Sequence, residues 1–503
     1  MAKDFYENYI KNRTRTKSEE KPDYLAVSKE EIAQSIADSI MSKINYNTPS
    51  TDPVLYDLVI TDGMVIVPGI GVTHSNIGIR NGKIASITNM KIHGSNTVNA
   101  KNMYVCPGII DPHIHLGLFS PFEVEVETET KAAIAGGVTT AGCFFGSQVS
   151  HLESFPELES KIQKLSHIDI IPHLVIGSQT QKRELKAYVE QLGITSFKLY
   201  MNGIPGIIED IGDGFMLDVF DEIKKISKPC MVCVHTENRE VVRRATSNIQ
   251  DALSESATIK DWTETHPDMA EEEAVNRLSY FAKKMGVHVY IVHLSSKGAV
   301  KNLKAIKADN PYVHVETTSP YLSINHSTTS SSLIKMEPPF RGTDDMEALW
   351  EGVRNGVIDT IGTDNVTMTT TEKNAQADNL WHVMPGYPAI ETHLTVLLHE
   401  GVHIRKIPIE KIIEKITKNP AEMFGVYPQK GSMLTGSDAD ITIIDMDKSK
   451  KVTAKDLHSR SDFSLYEGKV LHGWPVVTIK SGKIVYQDER LTGEKAQCNY
   501  LKR

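Results

Sequence analysis

Between about residues 106 and 429 the chain alternates short apolar runs with longer amphipathic stretches, and this alternation most limits the folds open to it. Strand-like runs lie near 107–115, 138–144, 168–176, 195–201, 229–235, 287–293, 312–317 and 357–363. Stretches of helical period, such as Met269–Met285 and Thr343–Asn355, lie between them. Parallel strands joined by helical crossovers bury both faces of their sheet, so eight such units predict an α/β chain closed into a (β/α)₈ TIM barrel. Asp364 follows His113 by 251 residues, near the ~250 that such a barrel occupies. In that architecture chemistry belongs at the C-terminal ends of the strands.

The two ends of the chain have a different character from the middle. Tyr56–Ile60, Met64–Val67 and Ser75–Arg80 read as short strands, and Asn81-Gly82 turns the last of them into Lys83–Ile87. Ala439–Asp445 and Val476–Lys480 read the same way, with Ser481-Gly482 turning into Lys483–Tyr486. The simplest arrangement is one small β-sandwich made of residues 55–106 and 430–490, with the barrel, 107–429, inserted between them. Residues 491–503 remain as a tail. Residues 1–54 form an N-terminal extension in which Ser28-Lys29-Glu30-Glu31 is a capping box. Ile32, Ile36, Ile40 and Ile44 then recur at helical spacing, so this extension is expected to contain a helix with one packing stripe.

Composition narrows the function classes. A net charge of −9 argues against a nucleic-acid surface. No apolar run reaches the ~20 residues of a membrane span, and the polar start carries no signal peptide. The five cysteines show no disulfide spacing, which suits a reducing, cytoplasmic setting. Cys230 and Cys233 lie three apart in an apolar run, where a strand turns them to opposite faces, so they read as structural.

Chemistry-bearing residues collect at the predicted strand ends. The run Val105-Cys-Pro-Gly-Ile-Ile-Asp-Pro-His113-Ile-His115 reads as one buried strand whose two histidines share a face and can hold one metal ion. The fourth strand carries Lys198 inside an apolar run, the fifth ends in His235, the sixth in His293 and the eighth in Asp364. Taken singly, His235 or His293 could be a core histidine and Asp364 a helix cap. Their joint placement is far harder to obtain by chance. A buried ammonium is costly and has no lone pair for a metal. As a carbamate the same side chain would be an anion with two oxygens, able to bridge two cations.

These residues, with Lys335-Met-Glu-Pro-Pro-Phe-Arg341, Pro385–Thr392, Asn419-Pro-Ala421 and Gly436–Asp440, resemble the amidohydrolase superfamily, most closely its cyclic-amidase branch. That branch holds dihydropyrimidinases or hydantoinases, allantoinases and dihydroorotases. The resemblance runs from about 55 to 490. It implies one divalent metal on His113, His115, Lys198 and Asp364, and a second on His235, His293 and Lys198 as N6-carboxylysine. Zinc suits these donors, with manganese as the alternative. The implied reaction is opening of a small cyclic amide or ureide by a hydroxide shared between the metals, with Asp364 as catalytic base and then acid. Relatives of this kind are dimers or tetramers.

Departures from the family pattern bear on the ring. Gly117 stands where dihydroorotases have a carboxylate-binding arginine, and Gly203 where hydantoinases have an oxyanion-binding tyrosine. Tyr200 is a candidate substitute, two residues past Lys198 on the same strand face. Glu337, before the Pro-Pro pair, could recognise an amino or ring N–H group or simply face solvent at a loop. Asn365 replaces the histidine usual after the aspartate. Tyr200, Glu337 and Asn365 are the candidate substrate contacts. The competing readings are a non-catalytic scaffold of the same fold, against which all six ligand positions argue, and another hydrolysis of a lactam, a linear amide or a deamination substrate.

Overall fold

The computed structural model describes residues 55–203, 208–374 and 379–503. The helix expected after Ser28–Glu31 lies outside them. The first strands are Leu55–Val67 (β1), Gly71–Arg80 (β2), Lys83–Thr88 (β3), His93–Asn99 (β4) and Tyr104–Pro107 (β5). Tyr56–Ile60 and Met64–Val67, expected as two strands, are one strand with a register shift between Ile60 and Gly63, where Asp62 takes a φ of 60°. The turn at Asn81-Gly82 places both residues at positive φ and pairs Arg80 with Lys83, as its sequence predicts. β4 carries no alternating apolar residues, and only Val98 in it is buried, so its sequence gave no strand signal.

The middle of the chain contributes Ile109–His115 (β6), Val138–Phe145 (β7), Asp169–Val175 (β8), Ser196–Tyr200 (β9), Met231–His235 (β10), Val289–Ile291 (β11), Val313–Thr318 (β12), Thr360–Gly362 (β13) and Asn365–Val366 (β14). They pair in parallel in the order β13-β12-β11-β10-β9-β8-β7-β6-β14. The eighth staves of the barrel are thus two pieces of one segment. β13 pairs with β12, and after Thr363-Asp364 the chain resumes as β14 on β6, closing the ring. Amphipathic helices cover the outside. Asp268–Met285 buries Ala270, Ala274, Val275, Leu278 and Ala282, and Gly286 at φ 68° ends it. Thr343–Asn355 buries Leu349, Trp350 and Val353. Inside the barrel, Ile110, Ile171 and Tyr290 pack with Phe424 from the segment after helix Lys418–Met423. That plug fills the end opposite the strand termini and leaves the chemistry to the other end.

Ile441–Lys451 (β15), Val470–Lys480 (β16), Lys483–Gln487 (β17) and Arg490–Leu491 (β18) return to the first sheet, in the order β18-β17-β16-β15-β5-β1-β2-β3, with β4 beside β1. Both chain ends therefore build one mixed sheet, with a core that includes Leu58, Val65, Ile79, Val105, Ile441 and Ile479. The run Val105–His115 is not the single strand its sequence suggests. It divides at Gly108: β5 belongs to the sheet of the chain ends and β6 to the barrel. A Cβ on Gly108 would come within 2.6 Å of Thr139 Cγ2, so only glycine lets the chain pass from one sheet to the other here. A buried ion cluster ties the same junction. Lys430 Nζ reaches Asp169 Oδ2 (2.5 Å) and Asp440 Oδ2 (2.7 Å), and Lys480 Nζ reaches the same two oxygens (2.6 and 2.8 Å). No helix among the described residues is long and apolar enough to cross a membrane.

Candidate metal centre

The C-terminal ends of β6 and of the eighth segment bring three donors together. His113 Nε2 lies 3.2 Å from His115 Nε2, and Asp364 Oδ1 is 3.1 Å from each. Strand alternation puts both imidazoles on the inner face, and the break between β13 and β14 turns Asp364 inward at a φ of 57°. A brace holds this break. Asp111 accepts hydrogen bonds from the backbone N–H groups of His113 (3.1 Å) and Thr363 (3.0 Å) and from Thr363 Oγ1 (2.6 Å). The Asp364 N–H donates to the carbonyl of His113 at 2.9 Å. Neighbouring strands are thereby fixed at the point where their donors converge.

A second group stands across the barrel. His235 Nδ1 lies 3.1 Å from His293 Nε2, at the end of β10 and just past β11. His293 has a φ of 41°, the same uncommon left-handed backbone as Asp364. Lys198, fully buried on β9, lies between the two groups: its Nζ is 4.7 Å from the ring of Phe144 and 4.8 Å from that of Tyr200. Phe144 packs against His113 and His115, and Tyr200 stacks on His235. His113 and His293 are 5.5 Å apart between ring centroids.

The electrostatics suit a cation. Burial alone lowers the pKa of His113, but Asp364 and Glu316 outweigh it and raise it to about 9. Burial would raise the carboxyl of Asp364, yet His113 and His115 hold it well below the carboxylate range. Burial keeps His115 and His293 below the ordinary imidazole value, which leaves neutral rings with lone pairs to offer. Burial also brings the Lys198 ammonium down to about 8. Facing imidazole nitrogens can share only one proton, and His293 Nδ1 and Glu316 Oε2 are buried without a hydrogen-bond partner. Such a set of inward, under-satisfied donors fits a divalent ion.

Several residues that orient this set were not singled out from the sequence. Glu316 on β12 accepts from His113 Nδ1 at 2.9 Å. Glu237 joins His235 Nε2 (2.8 Å) to His266 Nδ1 (2.9 Å). Carboxylates in these positions fix ring tautomers and raise ligand basicity. Glu237 was legible, being two residues past His235, and Glu316 as a charge in an apolar strand run. His266 stands between two helices, where no periodicity marks it.

The three candidate substrate contacts part company. The buried Tyr200 lies beside Lys198 and His235, and no hydrogen bond joins its hydroxyl to another described residue. Glu337 is half-buried on the side of His235 and His266. Asn365 is spent on the chain itself: its Oδ1 accepts from the N–H groups of Ala389 (2.8 Å) and Ile390 (3.2 Å), and its Nδ2 donates to Thr367 (3.0 Å). That makes Asn365 a brace for the 389–390 loop and leaves little of it for a ligand. Gly203 admits no side chain, since a Cβ there would lie 2.7 Å from the Asp210 backbone nitrogen. Gly117, at φ 80°, leaves no cationic group two residues after His115.

Comparison with known proteins places this geometry. The chain is similar to the L-hydantoinase of Paenarthrobacter aurescens, 27% identical over 460 residues, covering 88% of this chain and 98% of that protein. It is similar to the D-hydantoinase of Geobacillus stearothermophilus, 29% identical over 455 residues, covering 87% and 95%. Among solved structures it resembles a dihydropyrimidinase from Brevibacillus agri, with a TM-score of 0.81, 25% identity and coverage of 88% and 98%. It also resembles the L-hydantoinase of Arthrobacter aurescens, with a TM-score of 0.83, 26% identity and coverage of 89% and 100%. The profile of the amidohydrolase family matches residues 104–485, which spans β5, the whole barrel and the return of the chain into the first sheet. With the barrel, the strand-end donors and that match in agreement, the chain belongs to the amidohydrolase family.

Proposed function

We propose that this protein is a metal-dependent hydrolase that opens the ring of a cyclic amide or ureide. The observation that carries the reading is the buried lysine between two groups of inward-facing imidazoles at the strand ends of the barrel. In this reading His113, His115, Lys198 and Asp364 hold one divalent ion, and His235, His293 and Lys198 hold a second. Lys198 serves both as N6-carboxylysine, because an ammonium has no lone pair to offer. Zinc fits these nitrogen and oxygen donors and manganese is the alternative. When bound, such a pair of ions lowers the pKa of water and polarises a carbonyl.

The chain's own groups do the rest. Asp364 takes up a proton on its carboxylate and returns it to the ring nitrogen that leaves. The Tyr200 hydroxyl, which has no hydrogen bond to another described residue, donates to the carbonyl oxygen as charge develops there. Glu316 and Glu237 hold the imidazoles in register. Gly117 offers no cation for a ring carboxylate, which favours neutral rings over dihydroorotate. A small-molecule substrate, a dimeric or tetrameric assembly and a cytoplasmic location complete the reading and rest on the family resemblance.

The test is ring opening by zinc- or manganese-loaded protein over dihydrouracil, hydantoin, 5-substituted hydantoins, allantoin, dihydroorotate and a lactam, each with a chelator-stripped control. Chelator-sensitive turnover of one ring is the expected result. Lys198→Ala is expected to lose both metal and activity, and a fully active Lys198→Ala protein would overturn the bridging role. Silence across the panel with no metal bound would instead favour a non-catalytic scaffold.

A further inference from the structure

Glu337 sits in a segment pinned on both sides. The carbonyl of Met336 accepts from Trp262 Nε1 at 2.9 Å, and that of Pro338 accepts from the Tyr321 hydroxyl. The segment is thereby held beside Trp262, whose ring lies 5.1 Å from that of His266, the residue that Glu237 joins to His235. The titratable groups around the Glu337 carboxylate are His266, Glu237, His235 and Lys335. None of the basic ones pairs with it. His235 gives Nε2 and His266 gives Nδ1 to Glu237. Lys335 spends its ammonium on the carbonyls of Leu380 and Trp381, both at 2.9 Å, and lies over the Trp262 ring at 4.0 Å. No hydrogen bond or ion pair joins the Glu337 carboxylate to another described residue.

Half-buried and without a partner among the described residues, this carboxylate keeps its acceptors open to a ligand. Burial pushes its pKa up, partly countered by His266. Two buried carboxylates nearby are well supplied: Asp111 accepts three hydrogen bonds and Glu271 accepts three from Ser295 and Ser296. Glu337 differs from these two in having both carboxylate oxygens unpaired among the described residues. Resting on the ring-opening reading above, we infer that Glu337 selects rings whose substituent carries a cationic or N–H-donating nitrogen, in preference to rings with apolar substituents of the same size. A charge-assisted hydrogen bond at such a position contributes about ten- to a hundredfold in affinity.

The experiment compares 5-(2-aminoethyl)hydantoin with 5-propylhydantoin, which match in length. Affinities for the zinc-loaded full-length protein are measured by calorimetry, and turnover of both rings is measured separately. The expected result is at least about tenfold tighter binding of the amino ring. Glu337→Gln should bring the two affinities together, and Glu337→Asp should keep part of the difference. Equal affinities in the unaltered protein, no binding of either ring, or an unchanged preference in Glu337→Gln would each overturn the inference. A binding preference without turnover of either ring would uphold the role of Glu337 while removing the ring-opening reading. Equal affinities with turnover of both rings would do the reverse.

Discussion

Asp364 has one carboxylate oxygen 3.1 Å from two imidazoles and a backbone that only the strand break allows. In the proposed reaction it both holds metal and carries the proton. Asp364→Asn keeps an oxygen donor but cannot take up the proton, so kcat should fall by about 10²–10⁴ while metal content falls much less. Parallel steady-state kinetics and metal analysis would separate the two losses. An equal loss of both would make the residue a ligand alone. Tyr200→Phe keeps the ring stacked on His235 and removes only the hydroxyl. A drop in kcat of about 10²-fold or more, with little change in KM, is expected if that hydroxyl meets developing charge. Glu316→Gln should weaken metal retention by about 10–100-fold through His113, measurable by competition with a chelator.

At the scale of elements, the site depends on where strands stop. β13 ends at Gly362, β14 begins at Asn365, and the two residues between them deliver the brace to Asp111 and the donor Asp364. The segment Val105–His115 depends on a similar stop at Gly108, where β5 gives way to β6. Gly108→Ala should cost about 1–3 kcal/mol by forcing a methyl group against Thr139. Thr139→Ala in the same protein should return part of that loss, because it removes the nearest atoms but leaves a Cβ at 2.9 Å. Urea unfolding of the two single variants and the double variant measures this coupling, and strict additivity would mean the clash is relieved elsewhere.

At the scale of the molecule, the two sheets are joined by buried charge. Asp440 lies beside Lys430 and Lys480, and although burial alone would raise its pKa, the two ammonium groups hold it below the usual 3.8. An acid whose folded pKa is depressed stabilises the fold above its ordinary range and loses that contribution as pH falls through the folded value. The unaltered protein should therefore lose stability steeply below about pH 4, and an Asp440→Asn protein less so. At neutral pH Asp440→Asn should cost about 3–5 kcal/mol, because two buried ammonium groups lose a carboxylate that they share. Thermal melts across pH 2–8 would check both signs (~0.5-unit steps suffice for the slope). Removing metal with a chelator should lower the melting temperature, since ions held only by the folded chain stabilise it by mass action.

The fold was open to reading because periodicity is local. Each barrel strand announced itself by its own apolar run, and the helices ending at Met285 and Asn355 by their own spacing. Lys198, His235 and His293 were legible because a polar group at the end of an apolar strand is conspicuous. What escaped was decided by partners distant in the chain. Val105–His115 looks continuous, and only the pairing of β5 with β15, more than three hundred residues on, assigns its first half to another sheet. β4 is a strand because β1 offers it an edge, and nothing in its own residues requires it. Asn365 looked like a ligand contact until the 389–390 loop claimed its amide. By itself, then, the sequence determined the alternation of barrel strands and helices and pointed to the candidate donors, which depend on local pattern and residue chemistry. The tertiary structure alone decided which donors meet, which are consumed in bracing, and that Glu337 is left with its acceptors free, because those outcomes depend on distances that no single stretch of chain contains.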